Sequence, residues 1–253
     1  MKQIFRQIIA LALIAALLTI AGAAFAEADA QDSYDEAEEA FNAEDYAKAV
    51  ELIALDAEQG DMEAQYLLGS MYFNGIVVEQ DLEKAAAYYQ LAADQGSAYA
   101  QTMLGYMYQT GTGVEQDFDK AIEYYLLAAD QDEVSAQFNL GYMYSYQEGM
   151  EPDAEKAIEW YTLAAEQGFA GAHNNLGCMY YDGELVEQDY EKAFAHFTLG
   201  AEGEIGESSY YLGLMYENGE YVEQDVDKAL EYYRLAVEQG YEDAIEKLND
   251  LEG

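Results

Sequence analysis

Apolar positions in this chain return with a period of 36 residues, without a gap, over five consecutive units. The units are residues 61–96, 97–132, 133–168, 169–204 and 205–240. In the first unit, one set of residues has the i, i+4, i+7, i+8 spacing of a single helical face: Ala64, Leu68, Met71 and Tyr72. A second set follows it: Ala85, Tyr89, Ala92 and Ala93. Each unit is therefore predicted to form a pair of helices.

Polar residues and glycines mark the ends of these helices. Asp81 stands where an N-cap would accept the free backbone N–H groups of the second helix. Gly96 stands where a left-handed residue would end that helix. The loop over residues 74–80 is predicted to turn at Gly75 and to be anchored by a buried Val78. The apolar loop position recurs as Val114, Met150, Val186 and Val222.

The third unit departs from this loop pattern. Its glycine is shifted to Gly149, and Pro152 precedes the capping Asp153. A locally different loop is expected there, within the same fold.

A glycine also recurs in the middle of every first helix, at Gly69, Gly105, Gly141, Gly177 and Gly213. Glycine in a helix interior costs about 1 kcal/mol relative to alanine. Its return at one position predicts that the paired helix crosses there, too close to leave room for a β-carbon.

A helix pair of this size cannot bury its apolar face alone, so neighbouring pairs must stack and the ends need caps. Residues 33–60 keep the repeat's Asp, Lys-Ala and Gly positions with a shorter loop, and are predicted to be an N-terminal capping repeat. Residues 241–253 keep only a first helix and are predicted to be a C-terminal capping helix. The sequence thus predicts 13 helices.

Four motifs carry a resemblance to a known family: LG-x-MY, the glycine loop with V-x-Q-D, the Lys-Ala pair and A-A-x-Q-G. Together they resemble the Sel-one-like repeat, a relative of the tetratricopeptide repeat, and residues 33–60 look more like a tetratricopeptide unit. The resemblance implies an all-α fold, a right-handed α-α superhelix or solenoid. It also implies a protein that mediates protein–protein contacts and is not an enzyme, because the family shares no catalytic residues.

The first 26 residues have the features of a signal peptide. Lys2 and Arg6 precede an apolar run over residues 8–20, and Ala-Phe-Ala at 24–26 predicts cleavage before Glu27. The alternative is a membrane anchor, which needs about 20 apolar residues, more than this run supplies. Residues 27–32 are then a short disordered lead. The chain is expected to be exported to the bacterial periplasm or out of the cell, with no membrane span after cleavage.

The net charge of the chain limits the classes of partner that it can bind. It has 51 Asp and Glu against 10 Lys and Arg, a formal net charge of −41. Such a surface repels phosphates, which excludes nucleic acid as a partner. A basic protein or peptide, loosely held divalent cations, or simple solubility in salt would each account for the acidity. The sequence does not indicate an oligomeric state.

In a stack of helix pairs the first helices line the concave face. The resemblance places three outward columns there, which change between units and yet keep returning aromatics, the side chains most enriched at binding hot spots. The predicted interaction surface consists of Tyr66, Phe73, Tyr106, Phe138, Tyr142, Tyr181 and Tyr210. The alternative is that these side chains only fill gaps between successive helices.

The search for catalytic chemistry gives no site. His173 and Cys178 are five residues apart on one helix, about 140° apart around its axis, so they cannot pair locally. His196 stands in a column of aromatics and is expected to pack as one. A single cysteine, Cys178, allows no internal disulfide. No EF-hand or phosphate-binding loop is present, so no metal and no cofactor is expected.

Three functions remain in competition at this point. The leading one is an exported interaction scaffold with a concave aromatic groove and an acidic rim. The second is a secreted hydrolase or cell-wall-active protein. The third is an acidic protein that responds to divalent cations with low affinity.

Overall fold

The computed structural model describes residues 36–43 and 45–252. The predicted signal peptide, the lead over residues 27–32 and the first residues of the N-terminal cap lie outside the described residues.

The described residues form thirteen helices and no strand. In chain order these are α1 (36–42), α2 (Tyr46–Glu58), α3 (Met62–Asn74), α4 (Leu82–Asp94), α5 (Ala98–Thr110), α6 (Phe118–Ala129), α7 (Val134–Tyr146), α8 (Ala154–Glu166), α9 (Ala170–Asp182), α10 (Tyr190–Glu202), α11 (Gly206–Asn218), α12 (Val226–Glu238) and α13 (Ala244–Glu252). The predicted all-α fold with two helices per repeat is confirmed. The helices α3, α5, α7, α9 and α11 are called first helices below, and α4, α6, α8, α10 and α12 second helices.

The chain divides into two compact units, one ending at Glu133 and the other beginning at Val134. In unit 1, α2 to α6 pack as successive neighbours. In unit 2, α7 to α13 do the same, and the strongest packing in both units joins the first and second helix of one repeat.

Both predicted apolar faces form the core. Ala64, Leu68 and Met71 of α3 are fully buried, as are Ala85 and Tyr89 of α4, and the same columns are buried in the later repeats. The Tyr72 column is only half-buried, and in four of the repeats its ring stacks on an aromatic ring of the second helix. The Tyr72 and Tyr88 rings lie 5.8 Å apart and almost parallel.

The mid-helix glycines lie against the buried aromatic ring of the second helix. A β-carbon built on Gly69 would be 2.8 Å from the Tyr89 ring, and one on Gly105 would be 2.6 Å from Tyr125. In unit 2 the same distances are 2.5 Å to Tyr161, 2.6 Å to Phe197 and 2.6 Å to Tyr233. The predicted close approach is confirmed, and the group that excludes the β-carbon is the ring.

The second helices share one N-terminal arrangement. The Asp81 side chain accepts a hydrogen bond from the Lys84 backbone N–H at 3.0 Å, which confirms the predicted N-cap. The Lys84 ammonium lies 3.2 Å from the same carboxylate and 5.0 Å from the centre of the Tyr72 ring. Equivalent lysines lie over equivalent rings in the other four repeats.

The loops between paired helices follow the predicted turn. Gly75 ends α3 in the left-handed conformation, with φ of 65°. Gln80 then donates a side-chain hydrogen bond of 2.8 Å to the carbonyl of Phe73, and Gln116, Gln188 and Gln224 repeat this bond. The third repeat has Pro152 in place of this glutamine, in line with the different loop expected there.

The prediction of a buried loop anchor was wrong in degree. Val78 and its equivalents are only half-buried, although Val78, Val114 and Val186 pack against the core. In the first repeat the loop residue that enters the core is Ile76, which is 6% exposed and packs with Leu68 and Met71.

Glutamines connect the two helices of a repeat at the end opposite the loop. Gln95 donates to Gln65 at 2.8 Å, Gln131 to Gln101 at 2.8 Å, and Gln167 to Gln137 at 2.9 Å. The first-helix members of these pairs are buried, so each pair satisfies polar groups that would otherwise be costly to bury. In the fourth repeat the same two positions hold His173 and Gly203.

The substitution Gly105→Ala tests the glycine–ring contact. It is expected to lower the free energy of unfolding by about 1–3 kcal/mol, the usual cost of overpacking, although alanine favours a helix. Chemical denaturation of the single variant, of Tyr125→Leu and of the double variant would measure the coupling. If the two single effects simply add, the ring is not what excludes the β-carbon.

Two residues carry left-handed strain at a position that other repeats fill with glycine. Glu204 has φ of 63° and Asp132 has φ of 62°, where Gly96 and Gly168 have 101° and 86°. A non-glycine residue in this conformation costs about 1–2 kcal/mol. Replacement by glycine would remove this cost, but part of the stability gained is lost again because glycine has more conformational freedom in the unfolded chain.

The substitution Glu204→Gly is therefore expected to raise the free energy of unfolding by up to about 1 kcal/mol. The matched control is Glu202→Gly, which removes the same charge from the last turn of α10 and should lower it. Denaturation curves that move in the same direction for both variants would contradict the assignment of strain to residue 204.

Candidate interaction surface on the first helices

The seven residues of the predicted surface differ in exposure. Tyr106 on α5 and Tyr142 on α7 are exposed, at 42% and 41%. The other five are half-buried: Tyr66, Phe73, Phe138, Tyr181 and Tyr210. The half-buried residues lie against the buried aromatic ring of a second helix, and Tyr106 and Tyr142 are the more exposed ones. We call the side of the first helices that carries these seven residues the first-helix face.

In unit 1 the first-helix face carries a cluster of four aromatic rings around the buried Tyr89. Tyr66 lies 5.8 Å from Tyr89 and 5.9 Å from Tyr99. Phe73 lies 6.4 Å from Tyr89 and meets Tyr106 edge-on at 6.3 Å. Tyr66 and Phe73 of α3 are thus each in contact with an exposed tyrosine of α5.

Acidic residues adjoin this cluster. Burial and the nearby Asp61 raise the pKa of the Glu63 carboxyl. Burial, followed by Glu63, Tyr99 and Glu133, raises the pKa of Tyr66 to about 12, so this phenol stays protonated at neutral pH. The Glu133 carboxylate accepts a hydrogen bond of 3.0 Å from the Thr102 hydroxyl, which fixes it beside α5.

In unit 2 the rings of α7 form a first group. Phe138 contacts Tyr161 at 5.6 Å and Phe169 at 4.8 Å, which accounts for its half-buried state. Tyr142 contacts Tyr146 at 6.1 Å, and Tyr146 is 45% exposed. Tyr142 and Tyr146 therefore present an open aromatic pair.

The rings of α9 and α11 form a second group in unit 2. Tyr181 lies 6.1 Å from the buried Phe197 and 5.1 Å from Tyr211. Tyr210 lies 5.6 Å from Tyr233 and 5.2 Å from Tyr241. Both predicted residues fill space between neighbouring helices as well as reaching the surface.

Sequence reasoning missed two of the most exposed tyrosines on this face, Tyr99 and Tyr146, which are 58% and 45% exposed. Tyr99 lies one helical turn before Thr102, which is the equivalent of Tyr66 in the second repeat, and Tyr146 lies one turn after Tyr142. Extending the three outward columns by one turn in both directions would have found them.

Cys178 lies among acidic and phenolic groups of unit 2. Burial, followed by the charges of Glu207 and Asp182, raises the pKa of its thiol to about 12. A nucleophilic cysteine needs a lowered pKa. This thiol is held in the unreactive form and packs beside Phe197 and Tyr181.

The acidic residues around it act on one another. Burial, Glu184 and Glu207 all raise the pKa of the Asp182 carboxyl. The Glu207 carboxylate accepts a hydrogen bond of 2.8 Å from Asn174. The charges that act on Asp182 are thus carboxylates, which gives this part of the first-helix face a concentrated negative charge.

The structure brings together the two histidines, which the sequence did not pair. His173 and His196 lie on the two helices of the fourth repeat, with their Nδ1 atoms 3.1 Å apart. His196 stacks on Tyr180 at 5.9 Å, which agrees with the aromatic packing expected for it. The contact was missed because the residues are 23 positions apart and meet only through the pairing of α9 with α10.

The described residues contain no group of three or more His, Cys, Asp or Glu placed to hold a metal ion. Their helices are all too short or too polar to cross a membrane.

The substitution Asp182→Asn tests the concentration of negative charge. Because the folded state raises the pKa of this carboxyl, its charge destabilises the fold above that pKa, and the penalty disappears once pH falls below the unfolded value of about 3.9. The variant should be more stable at pH 7, by up to about 0.5 kcal/mol for an exposed group. Denaturation curves of the two proteins from pH 7 to pH 3 should converge. A constant difference at every pH would contradict the repulsion.

The chain matches a known repeat family over most of its length. The family model described as the Sel1 repeat matches residues 63–97, 98–133, 134–169, 170–204 and 206–241. Among solved structures, a Sel1 repeat protein from Oxalobacter formigenes is 31% identical, with 86% of each chain covered and a TM-score of 0.76. A protective antigen present in uropathogenic Escherichia coli strains, which displays an SLR fold, is 36% identical with a TM-score of 0.74. The match covers 81% of this chain and 44% of that antigen. A comparison with curated proteins gave no match. The chain belongs to the Sel1 repeat family and has its all-α, helix-pair solenoid fold.

Proposed function

We propose that this Sel1 repeat protein is an exported scaffold that binds a basic protein or peptide through the aromatic residues of its first-helix face. The observation that carries the proposal is the exposure of large aromatics on that face: Tyr99 and Tyr106 in unit 1, and Tyr142 and Tyr146 in unit 2. The family supports an interaction role in general. The aromatic surface, its acidic surroundings and export are the finer parts of the proposal.

The exposed tyrosines are held in place before any partner arrives. Tyr106 rests edge-on against Phe73 at 6.3 Å, and Tyr99 lies 5.9 Å from Tyr66. A ring already restrained by its neighbours loses less conformational entropy on binding. Tyrosine also offers a large apolar area together with a hydroxyl group, which is why it is frequent at binding hot spots.

The charge next to these rings selects the partner. Glu63 and Glu133 adjoin the rings of unit 1, and Asp182 and Glu207 adjoin Tyr211 in unit 2. A bound cation relieves the repulsion between neighbouring carboxylates, and complementary charge also speeds association. A peptide with lysine or arginine next to apolar side chains fits this surface best. The net charge of −41 argues against nucleic acid.

Export rests on the N-terminal sequence. The basic residues Lys2 and Arg6, the apolar run over 8–20 and the Ala-Phe-Ala sequence at 24–26 form the three parts of a cleavable signal. The partner would then be met in the bacterial periplasm or outside the cell.

The experiment selects peptides from a random displayed library on the immobilised chain and measures their dissociation constants. Tyr106→Ala is expected to weaken the peptides that bind unit 1 about tenfold or more, and Tyr142→Ala those that bind unit 2. Affinity should also fall with added salt, because the acidic contacts are screened.

The matched control is Tyr221→Ala. Tyr221 is as exposed as Tyr99, at 56%, but it lies in the loop between α11 and α12. If selection yields no peptide with basic residues, or if the control weakens binding as much as Tyr106→Ala and Tyr142→Ala, the proposed surface is wrong.

A further inference from the structure

The two histidines of the chain meet in the fourth repeat. His173 and His196 are the only histidines in the sequence, and their Nδ1 atoms are 3.1 Å apart. Both side chains are half-buried, so a small solute can reach them from water.

The other repeats show that this pair is not needed for stacking. The position of His173 holds glutamine in the first three repeats, where it bonds to a second glutamine. In the fourth repeat that second position is Gly203, where a β-carbon would lie 2.3 Å from the Cβ of Ala170. With no partner at 203, the ring of His173 meets His196 in a column that otherwise holds Tyr88, Tyr124, Trp160 and Tyr232.

Two neutral imidazoles can share only one proton between facing nitrogens, so at least one Nδ1 presents a lone pair to the other. When both rings carry their proton on Nε2, both Nδ1 lone pairs are free to bind a cation. Two nitrogens bound to one tetrahedral Zn²⁺ at 2.0–2.1 Å are separated by about 3.3 Å. The observed 3.1 Å is close to that spacing.

We propose that His173 and His196 form a two-histidine site that binds a transition-metal cation such as Zn²⁺ through both Nδ1 atoms. Imidazole nitrogen suits Zn²⁺, Cu²⁺ and Ni²⁺, whereas Ca²⁺ and Mg²⁺ prefer oxygen ligands. Two protein ligands with water in the remaining positions give a weaker and more exchangeable site than a closed structural zinc centre.

The surroundings hold the ligands in place. The His196 ring stacks on Tyr180 with an angle of 7° between the planes, which fixes the direction of its nitrogens. The Lys192 ammonium lies 4.7 Å from the centre of the Tyr180 ring and 3.2 Å from Asp189, so its positive charge is paired. The strongly acidic chain raises the local concentration of cations.

Burial disfavours the charged form of both imidazoles. Burial lowers the pKa of His173. Burial, then His173 and Lys192, lowers the pKa of His196 to about 4. Both imidazoles are therefore neutral at pH 7, and the proton between the two Nδ1 atoms must move to Nε2 before both nitrogens can bind a metal.

The test is calorimetric titration of the whole chain with Zn²⁺ in the presence of excess Mg²⁺, which occupies carboxylates that bind cations loosely. One Zn²⁺ per chain is expected. His173→Gln and His196→Tyr restore the residues of the other repeats and should each weaken binding about tenfold or more, since loss of outer-shell partners alone costs that much. Circular dichroism checks that both variants remain folded.

A second measurement needs no variant. In the ¹⁵N NMR spectrum of the unsubstituted chain, Zn²⁺ should shift the Nδ1 resonances of both histidines and leave both Nε2 atoms protonated. The proposal is overturned if no saturable Zn²⁺ binding appears, if both variants keep full affinity, or if the metal shifts Nε2 instead.

Discussion

The contact between a glycine of each first helix and a buried aromatic ring of its second helix is the interaction on which the rest of the structure depends. The ring occupies the volume of the missing β-carbon, at 2.5–2.8 Å from where it would stand. Such interlocking fixes how far the helices approach and which residues face each other. It turns the Leu68 and Met71 columns toward the core. The opposite side of the first helix is left outside the pair, where side chains can change without disturbing it.

Half of the few basic residues are used at helix N-termini, so few remain to neutralise the other surface carboxylates. Five of the ten basic residues lie over a first-helix tyrosine near the N-terminus of a second helix. In four of these repeats the ammonium also pairs with the capping aspartate. A sixth, Lys247, pairs with Glu217. The first five cations act within their own repeats, at the N-terminus of the second helix, and not beside the carboxylates of the aromatic clusters.

The structural features that are common to all repeats could be predicted from the sequence. Periodicity and local capping chemistry predict the buried columns, the Asp81 cap and the left-handed Gly75. Both signals depend only on residues that are close in the sequence. Features that depend on a neighbour's side chain were not predictable in the same way. The half-burial of Phe138 requires the Phe169 ring at 4.8 Å, and the entry of Ile76 instead of Val78 into the core depends on the path of one loop.

A repeat chain also carries its own internal controls, because one structural position is filled several times. Gln65, Gln101 and Gln137 show that the position of His173 can be satisfied by a hydrogen bond between glutamines. In the fourth repeat that bond is replaced by the 3.1 Å contact between the Nδ1 atoms of two half-buried imidazoles. Glutamine and an aromatic residue fill these two positions in the first three repeats, so stacking does not require histidine there. A departure that the fold does not need, placed where solvent reaches it, points to a ligand.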